Sequence, residues 1–99
     1  MGEAPAAWRV ERFAEHFESW IEREDPATDL RLLVGFWIWT RSETPYQGVQ
    51  RAEGFKNLWF GAVPNTDDGL GHVVACSYWI EESRQAVRCD NSATLDLPL

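Results

Sequence analysis

The sequence predicts an α+β domain in which a short N-terminal strand and a two-helix hairpin pack on a three- to four-stranded antiparallel sheet. Apolar residues recur at helical spacing over residues 11–41 and alternate with polar residues at strand spacing over residues 48–90. The length of 99 residues suits one domain, and 44% apolar with 25% charged residues is an ordinary globular composition. We therefore expect a single domain over residues 1–99, with residues 1–7 and 92–99 flexible.

The N-terminal third is expected to hold one strand and one helix. Residues 8–11 alternate apolar and charged side chains, which favours a short strand. From Val10 onward, apolar residues follow the i, i+3, i+4, i+7 spacing of one helix face, so we expect a helix over residues 11–24. His16 falls on the solvent side of this helix, beside a row of four glutamates. We call that row the glutamate ridge: Glu11, Glu15, Glu18 and Glu22.

The following segment, residues 26–41, fits either a helix or a strand. Asp25-Pro26 ends the first helix, because the residue before proline is disfavoured in the helical conformation, and the same pair can cap a second helix. Apolar residues from Leu30 to Ile38 fit a helix face, whereas Gly35 among aromatic and β-branched residues favours a strand. The cap signal and the length of about 16 residues favour a helix.

The C-terminal half is expected to form strands. Thr44-Pro45 ends the helical region, and short strands are predicted near residues 48–53 and 57–63. After a turn-rich loop, residues 72–81 and 84–90 are predicted to form a hairpin around Glu82-Ser83.

This predicted hairpin has a core face and a polar face. Its register sets Glu81 opposite Arg84 and Cys76 opposite Cys89. Trp79 lies on the polar face between Arg84 and Arg88, and this composition is typical of interface anchors. The core face is expected to contain Val74, Cys76, Tyr78, Ile80, Val87 and Cys89.

The charge distribution disfavours nucleic acid as a partner. The net charge is −7, with eight acids and three bases in residues 1–29, two acids and four bases in residues 30–66, and six acids and two bases in residues 67–99. General nucleic-acid binding depends on Lys and Arg against phosphate. The longest apolar run, Leu32–Trp39, is too short to span a bilayer, and two cysteines do not make a disulfide framework. We expect a cytoplasmic protein that does not contact membranes.

The titratable residues indicate no metal and no cofactor. Cys76 and Cys89 have no further Cys or His at ligand spacing, so we interpret them as core thiols. His72, beside Asp67-Asp68, could act as a general base, but a solvated loop histidine explains the same pattern. An active site assembled from residues that are distant in the chain leaves no local motif, so the possibility of an enzyme of another class stays open.

Three stretches of the chain follow one another in this order: a strand that leads into a helix, a second helix that ends in a turn, and a final hairpin. They are Trp-Arg-Val-Glu-Arg-Phe (residues 8–13) with Phe17 and Trp20, Phe36-Trp37-Ile38 with Pro45 and Gly48-Val49, and residues 73–89. In order and pattern they resemble the RelE/ParE toxin superfamily over nearly the whole chain.

The resemblance implies a toxin that is neutralised by a small antitoxin wrapped around its sheet and helices. For the ribosome-dependent mRNA endonucleases of that family it implies a basic surface, and four residues stand at comparable places as catalytic candidates: Arg51, Lys56, Tyr78 and Arg88. The chain departs from those ribonucleases in its single lysine, its net charge of −7 and its tail after Asp90, which has no basic residue. This departure favours a member that binds a protein.

Two functions follow as hypotheses. The first is a RelE/ParE-like component of a bacterial toxin–antitoxin module that acts mainly through protein–protein binding. The second is a small acidic adaptor or inhibitor, of phage or mobile-element type, that docks a basic partner through its glutamate-rich helix. In both, the partner is an antitoxin or cellular protein, and a homodimer stays open. The expected contact residues are Glu11, Glu15, Glu18, Glu22, Trp79, Arg84 and Arg88.

Overall fold

The computed structural model describes residues 7–98, in which two helices lie on one face of a five-stranded sheet. Residues 1–6, expected to be flexible, and Leu99 lie outside the described residues. The elements are β1 (Arg9–Glu11), α1 (Phe13–Glu24), α2 (Thr28–Thr40), β2 (Gln50–Arg51), β3 (Leu58–Ala62), β4 (His72–Glu81) and β5 (Ala86–Asp96).

The α+β class is confirmed, and the sheet is mixed rather than purely antiparallel. Its strand order is β1-β5-β4-β3-β2, with β1 parallel to β5 and Val10 opposite Val87. The remaining neighbours pair antiparallel. The parallel edge arises because the two helices carry the chain across the sheet after β1, and β5 returns beside β1 in the same direction.

Helix α1 begins two residues later than predicted. Arg12 has a φ of 62°, in the left-handed region, so the chain turns sharply there and Glu11 stays in β1. The predicted helix over residues 26–41 is confirmed as α2. Asp25, predicted to cap α2, instead ends α1 with a φ of 44°, and the N-cap of α2 is Ala27.

The β4–β5 hairpin has a longer turn and a different register from the prediction. Glu81 pairs with Ala86, because a short 3₁₀ turn at Glu82–Arg84 and left-handed Gln85, with a φ of 47°, separate the strands. The turn therefore contains four residues, and the predicted opposition of Glu81 and Arg84 in the ladder is wrong. The two side chains still form an ion pair across the turn.

A bulge near Asp90 changes which residues of β5 face the helices. The register shifts between Ser77 and Tyr78, so Tyr78 lies opposite Cys89 while Cys76 lies opposite Ser92. The predicted opposition of the two cysteines is therefore wrong. β5 continues to Asp96, so residues 92–96, expected to be flexible, pair with β4.

The core lies between the sheet and the two helices. All six residues predicted for the core face of the hairpin are buried there. Trp20 is 0% exposed and packs with Phe17 at a ring-centroid distance of 5.8 Å. Burial of large aromatic side chains supplies much of the hydrophobic stabilisation in so small a domain.

Candidate protein-binding surface

Helix α2 is apolar on every side, although only one side faces the core. On that side Val34, Trp37 and Ile38 are buried. On the opposite side, Leu32, Phe36 and Trp39 expose 71%, 75% and 52% of their surface, and we call them the α2 outer stripe. Their i, i+4, i+7 spacing aligns them along the helix. A helix that is apolar all round is normally covered on all sides.

The α2 outer stripe is held in place by α1. Trp39 packs against Phe13 with 5.0 Å between ring centroids, and Phe13 stacks on Phe17 at 5.2 Å. A Cβ at Gly35 would lie 3.5 Å from the Phe17 ring, which is an ordinary van der Waals contact. Beyond the helix, Ser42 Oγ donates a hydrogen bond of 2.9 Å to the Trp39 carbonyl. A surface ordered before binding loses less entropy when it binds.

Acidic side chains are exposed at both ends of the α2 outer stripe and on α1. Asp29 precedes Leu32 by one helical turn, Glu43 follows Trp39 by one turn, and both carboxylates are exposed. On α1, the helical members of the glutamate ridge are exposed as well: Glu15, Glu18 and Glu22. The helix layer therefore presents an apolar line within a negatively charged surface.

The polar end of the β4–β5 hairpin holds a charge network. Arg84 forms ion pairs with Glu81 and with Glu11, the latter at 2.6 Å from Nη2 to Oε2. Arg88 lies 3.7 Å from Glu81, and Arg9 lies 3.8 Å from Glu11. Glu11, predicted to belong to the helical ridge, lies in β1 and joins this network. These three arginines thus share two carboxylates, which keep the pKa of Arg84 raised.

Trp79 lies on the helix-free face, opposite Arg88 in the ladder. The Arg88 guanidinium is 5.8 Å from the Trp79 ring centroid, and Phe55 contacts the ring edge to face at 5.8 Å. A cavity of about 320 Å³ beside it is lined by Arg12, Trp79, Arg88, Cys89 and Asp90. Trp79 is partly buried by these neighbours, whereas Trp39 is the more exposed tryptophan.

The four catalytic candidates do not converge. Tyr78 points into the core, where its hydroxyl donates to the Pro45 carbonyl at 2.5 Å and burial raises its pKa, opposed by Arg41. Arg88 lies on the other face of the sheet, beside Trp79. Arg51 is exposed in the edge strand β2, and Lys56 is exposed in the connection from β2 to β3.

A buried polar cluster joins α1 to the sheet. His16, predicted to face solvent, is 6% exposed, and its Nε2 lies 2.7 Å from Ser92 Oγ in a hydrogen bond. Ser92 Oγ also lies 2.9 Å from Cys76 Sγ. Burial lowers the pKa of His16, while the backbone and carboxylate of Asp90 oppose this effect. Burial raises the pKa values of Cys76 and Cys89 to about 12, which makes both thiols inert.

His72 has a different environment at the far end of β4. Its Nδ1 lies 2.7 Å from Asp68 Oδ2, and its Nε2 lies 3.4 Å from Asp96 Oδ1. Asp68 also accepts from the backbone amides of Leu70 and His72, which lowers its pKa. These bonds order the loop before β4, and His72 itself is the first residue of that strand. Among residues 7–98, no three His, Cys, Asp or Glu side chains are grouped to hold a metal.

Sequence reasoning proposed Trp79 as an interface anchor, which stays a prediction, and missed the α2 outer stripe. The signal was present in the helical alternative for residues 26–41. If Val34, Trp37 and Ile38 form the inner face, then Leu32, Phe36 and Trp39 must lie outside. An apolar outer face on a helix in an acidic chain is a candidate interaction surface.

Comparisons with known proteins assign the chain to no family. No family model matches the chain, nor does any curated protein or solved structure. Within residues 7–98, neither helix is long and apolar enough to cross a membrane.

Proposed function

We propose that this protein acts by binding another protein, with the α2 outer stripe at the centre of the binding surface. One observation carries the proposal: three large apolar side chains at i, i+4, i+7 spacing are exposed on a well-packed helix. At ~200 Å² for each large side chain, the three exposed fractions amount to roughly 400 Å². The largest apolar patch on a typical monomer has this size and is often functional. The same spacing is typical of helices that dock into an apolar groove.

The partner is a different protein with an apolar groove and a basic rim. Asp29 and Glu43 stand at the two ends of the stripe, and Lys or Arg at the rim of the groove would complement them. Two copies packed stripe to stripe would bring carboxylates together in either orientation. Parallel helices would place Asp29 against Asp29, and antiparallel helices would place Asp29 against Glu43. Like charges at such positions oppose self-association.

A RelE/ParE-like toxin–antitoxin component is our first proposal for the biological setting. It rests on the element order of strand, two helices and strands, together with the acidic surface that disfavours RNA binding. In this setting the partner is an antitoxin or a cellular target, and the chain acts by occupying that protein rather than by cleaving mRNA.

The test is co-expression with the product of the neighbouring gene, followed by purification of the complex and a growth assay. We expect a complex that Leu32→Ser and Phe36→Ser each weaken by at least tenfold, because each removes an exposed anchor. Leu70→Ser is the matched control, since Leu70 is 80% exposed and lies outside the stripe.

Two results would contradict the proposal. If no complex forms and expression alone leaves growth unchanged, the toxin–antitoxin setting is wrong. If the complex forms and the control weakens it as much as Phe36→Ser, the stripe is not the binding surface. Sedimentation of the protein alone adds a third check, because a dimer that Phe36→Ser dissociates would identify a second copy as the occupant.

The second proposal is an acidic adaptor that docks a basic partner through α1. The observation that favours it is the exposure of Glu15, Glu18 and Glu22 along one helix face. Here we expect Glu15→Lys with Glu18→Lys to abolish a salt-sensitive complex that Phe36→Ser leaves intact. If neither added salt nor this charge reversal weakens the complex, the adaptor proposal is wrong.

A further inference from the structure

Arg41 is a buried cation with no anion beside it among the described residues. Its side chain is charged at any ordinary pH, yet the residue is 3% exposed. Every ion pair among residues 7–98 involves other residues, so no carboxylate lies within 4.0 Å of its guanidinium. Buried charges in proteins are normally paired, because desolvation is costly.

The neighbours of Arg41 orient its side chain without neutralising it. Nη1 donates to the Gln47 carbonyl at 2.6 Å and to the Tyr78 hydroxyl at 3.3 Å. Nη2 and Nε donate to Thr40 Oγ1 at 3.0 and 3.4 Å. The guanidinium also lies 4.1 Å from the Trp37 ring centroid. A guanidinium carries five N–H groups, so one N–H of Nη2 has no acceptor among the described residues.

Arg41 lines a cavity of about 440 Å³ next to the C-terminus of α2. Trp37 and Pro64 contribute apolar surface to this cavity, while Thr44 and Gln47 contribute polar atoms. The volume is within the range of pockets for small organic ligands. An unneutralised buried cation and a cavity thus occur at one place.

We propose that this cavity binds an organic monocarboxylate, whose carboxylate pairs with Arg41 and whose apolar body lies against Trp37 and Pro64. The planar guanidinium suits a carboxylate, and neutralising a buried charge makes that pairing favourable. Glu43 also lines the cavity and would repel a second negative charge, which disfavours phosphate. The carboxylate belongs either to a free acid or to the C-terminus of a peptide.

The binding test uses the full chain with benzoate, N-acetylphenylalanine, N-acetylphenylalanine amide and phosphate at constant ionic strength. Tryptophan fluorescence reports binding, because Trp37 contacts the guanidinium. We expect saturable binding of at least one acid, with binding of the amide and of phosphate at least tenfold weaker. Benzoate alone would identify a free acid, and N-acetylphenylalanine alone would identify a chain terminus; either supports the site.

Single-residue variants distinguish binding at this site from general effects of a substitution on the protein. Arg41→Met should abolish acid binding, and Arg88→Met is its matched control because that guanidinium also lies over a tryptophan. Thr44→Phe should block the cavity while leaving Arg41 in place, which covers the case in which Arg41→Met does not fold. The proposal is overturned if no acid binds, if the amide or phosphate binds as well as the acids, or if Arg88→Met has the same effect. None of these residues belongs to the α2 outer stripe, so the two proposals fail independently.

Discussion

The buried histidine predicts how stability changes with pH. His16 bonds to Ser92 and is almost fully buried, and burial lowers its pKa from the ordinary value of 6.5. Above pH 6.5 the residue is neutral in both the folded and the unfolded chain. As pH falls below 6.5, the unfolded chain takes up a proton that the folded chain does not. The free energy of unfolding must therefore decrease as the pH is lowered, until the pKa of His16 in the folded chain is reached.

The magnitude follows from the proton difference. One proton bound only by the unfolded chain lowers the free energy of unfolding by up to ~1.4 kcal/mol per pH unit. With a urea m-value of about 1 kcal/mol/M for a domain of this size, the urea midpoint should fall by up to roughly 1.4 M per pH unit. We expect this slope below pH 6.5, and a flat profile once the folded protein also binds the proton.

The assay is urea unfolding followed by tryptophan fluorescence at several pH values between 7.5 and 5, a range chosen to lie about the ordinary histidine pKa. His16→Gln keeps a polar side chain but removes the titration, so it should lose most of the slope below pH 6.5. His72→Gln is the control, because the His72 side chain is half exposed at the first position of β4. Equal slopes for the wild type and His16→Gln, or a slope lost only in His72→Gln, would refute the reasoning.

Three further predictions concern single side chains, each measured by chemical denaturation. Gly61→Ala should destabilise the fold by about 1–3 kcal/mol, because a Cβ there would lie 2.6 Å from the Gly48 carbonyl oxygen. Gly35→Ala should stabilise it by about 0.5–1 kcal/mol, since its Cβ meets the Phe17 ring at an ordinary 3.5 Å inside a helix; a loss of stability would show that α2 needs the glycine for closer packing. Trp20→Ala should cost about 3–5 kcal/mol, whereas Phe36→Ala should change stability by less than about 0.5 kcal/mol; equal costs would mean that Phe36 is not an outer residue.

Local pattern predicted much of the fold. The apolar spacing in α1 and α2, and the alternation along β4, depend on side-chain periodicity within one element. The core face of the β4–β5 hairpin was correct for the same reason. By contrast, the start of α1 depends on Arg12, a residue whose left-handed conformation has no signature in a single sequence.

The candidate sites were less predictable because they depend on distant contacts. The bulge near Asp90 turns Ser92 toward the helices, where it becomes the buried hydrogen-bond partner of His16. Arg84 and Arg88, the two arginines beside Trp79 in the predicted hairpin, resembled interface anchors in the sequence. In the structure, both form ion pairs with carboxylates from β1 or β4. Neither contact can be read from residues that are adjacent in the chain.

The sequence by itself determined the α+β class, the inner faces of the elements and the acidic surface, because each follows from composition or from spacing within one segment. Only the tertiary structure decided which apolar and charged residues have partners. Leu32, Phe36 and Trp39 are exposed because α1 and the sheet cover only the other sides of α2. Arg41 is buried, and no carboxylate of residues 7–98 pairs with it. Exposure and pairing depend on what packs against a side chain, and that is a property of the whole fold.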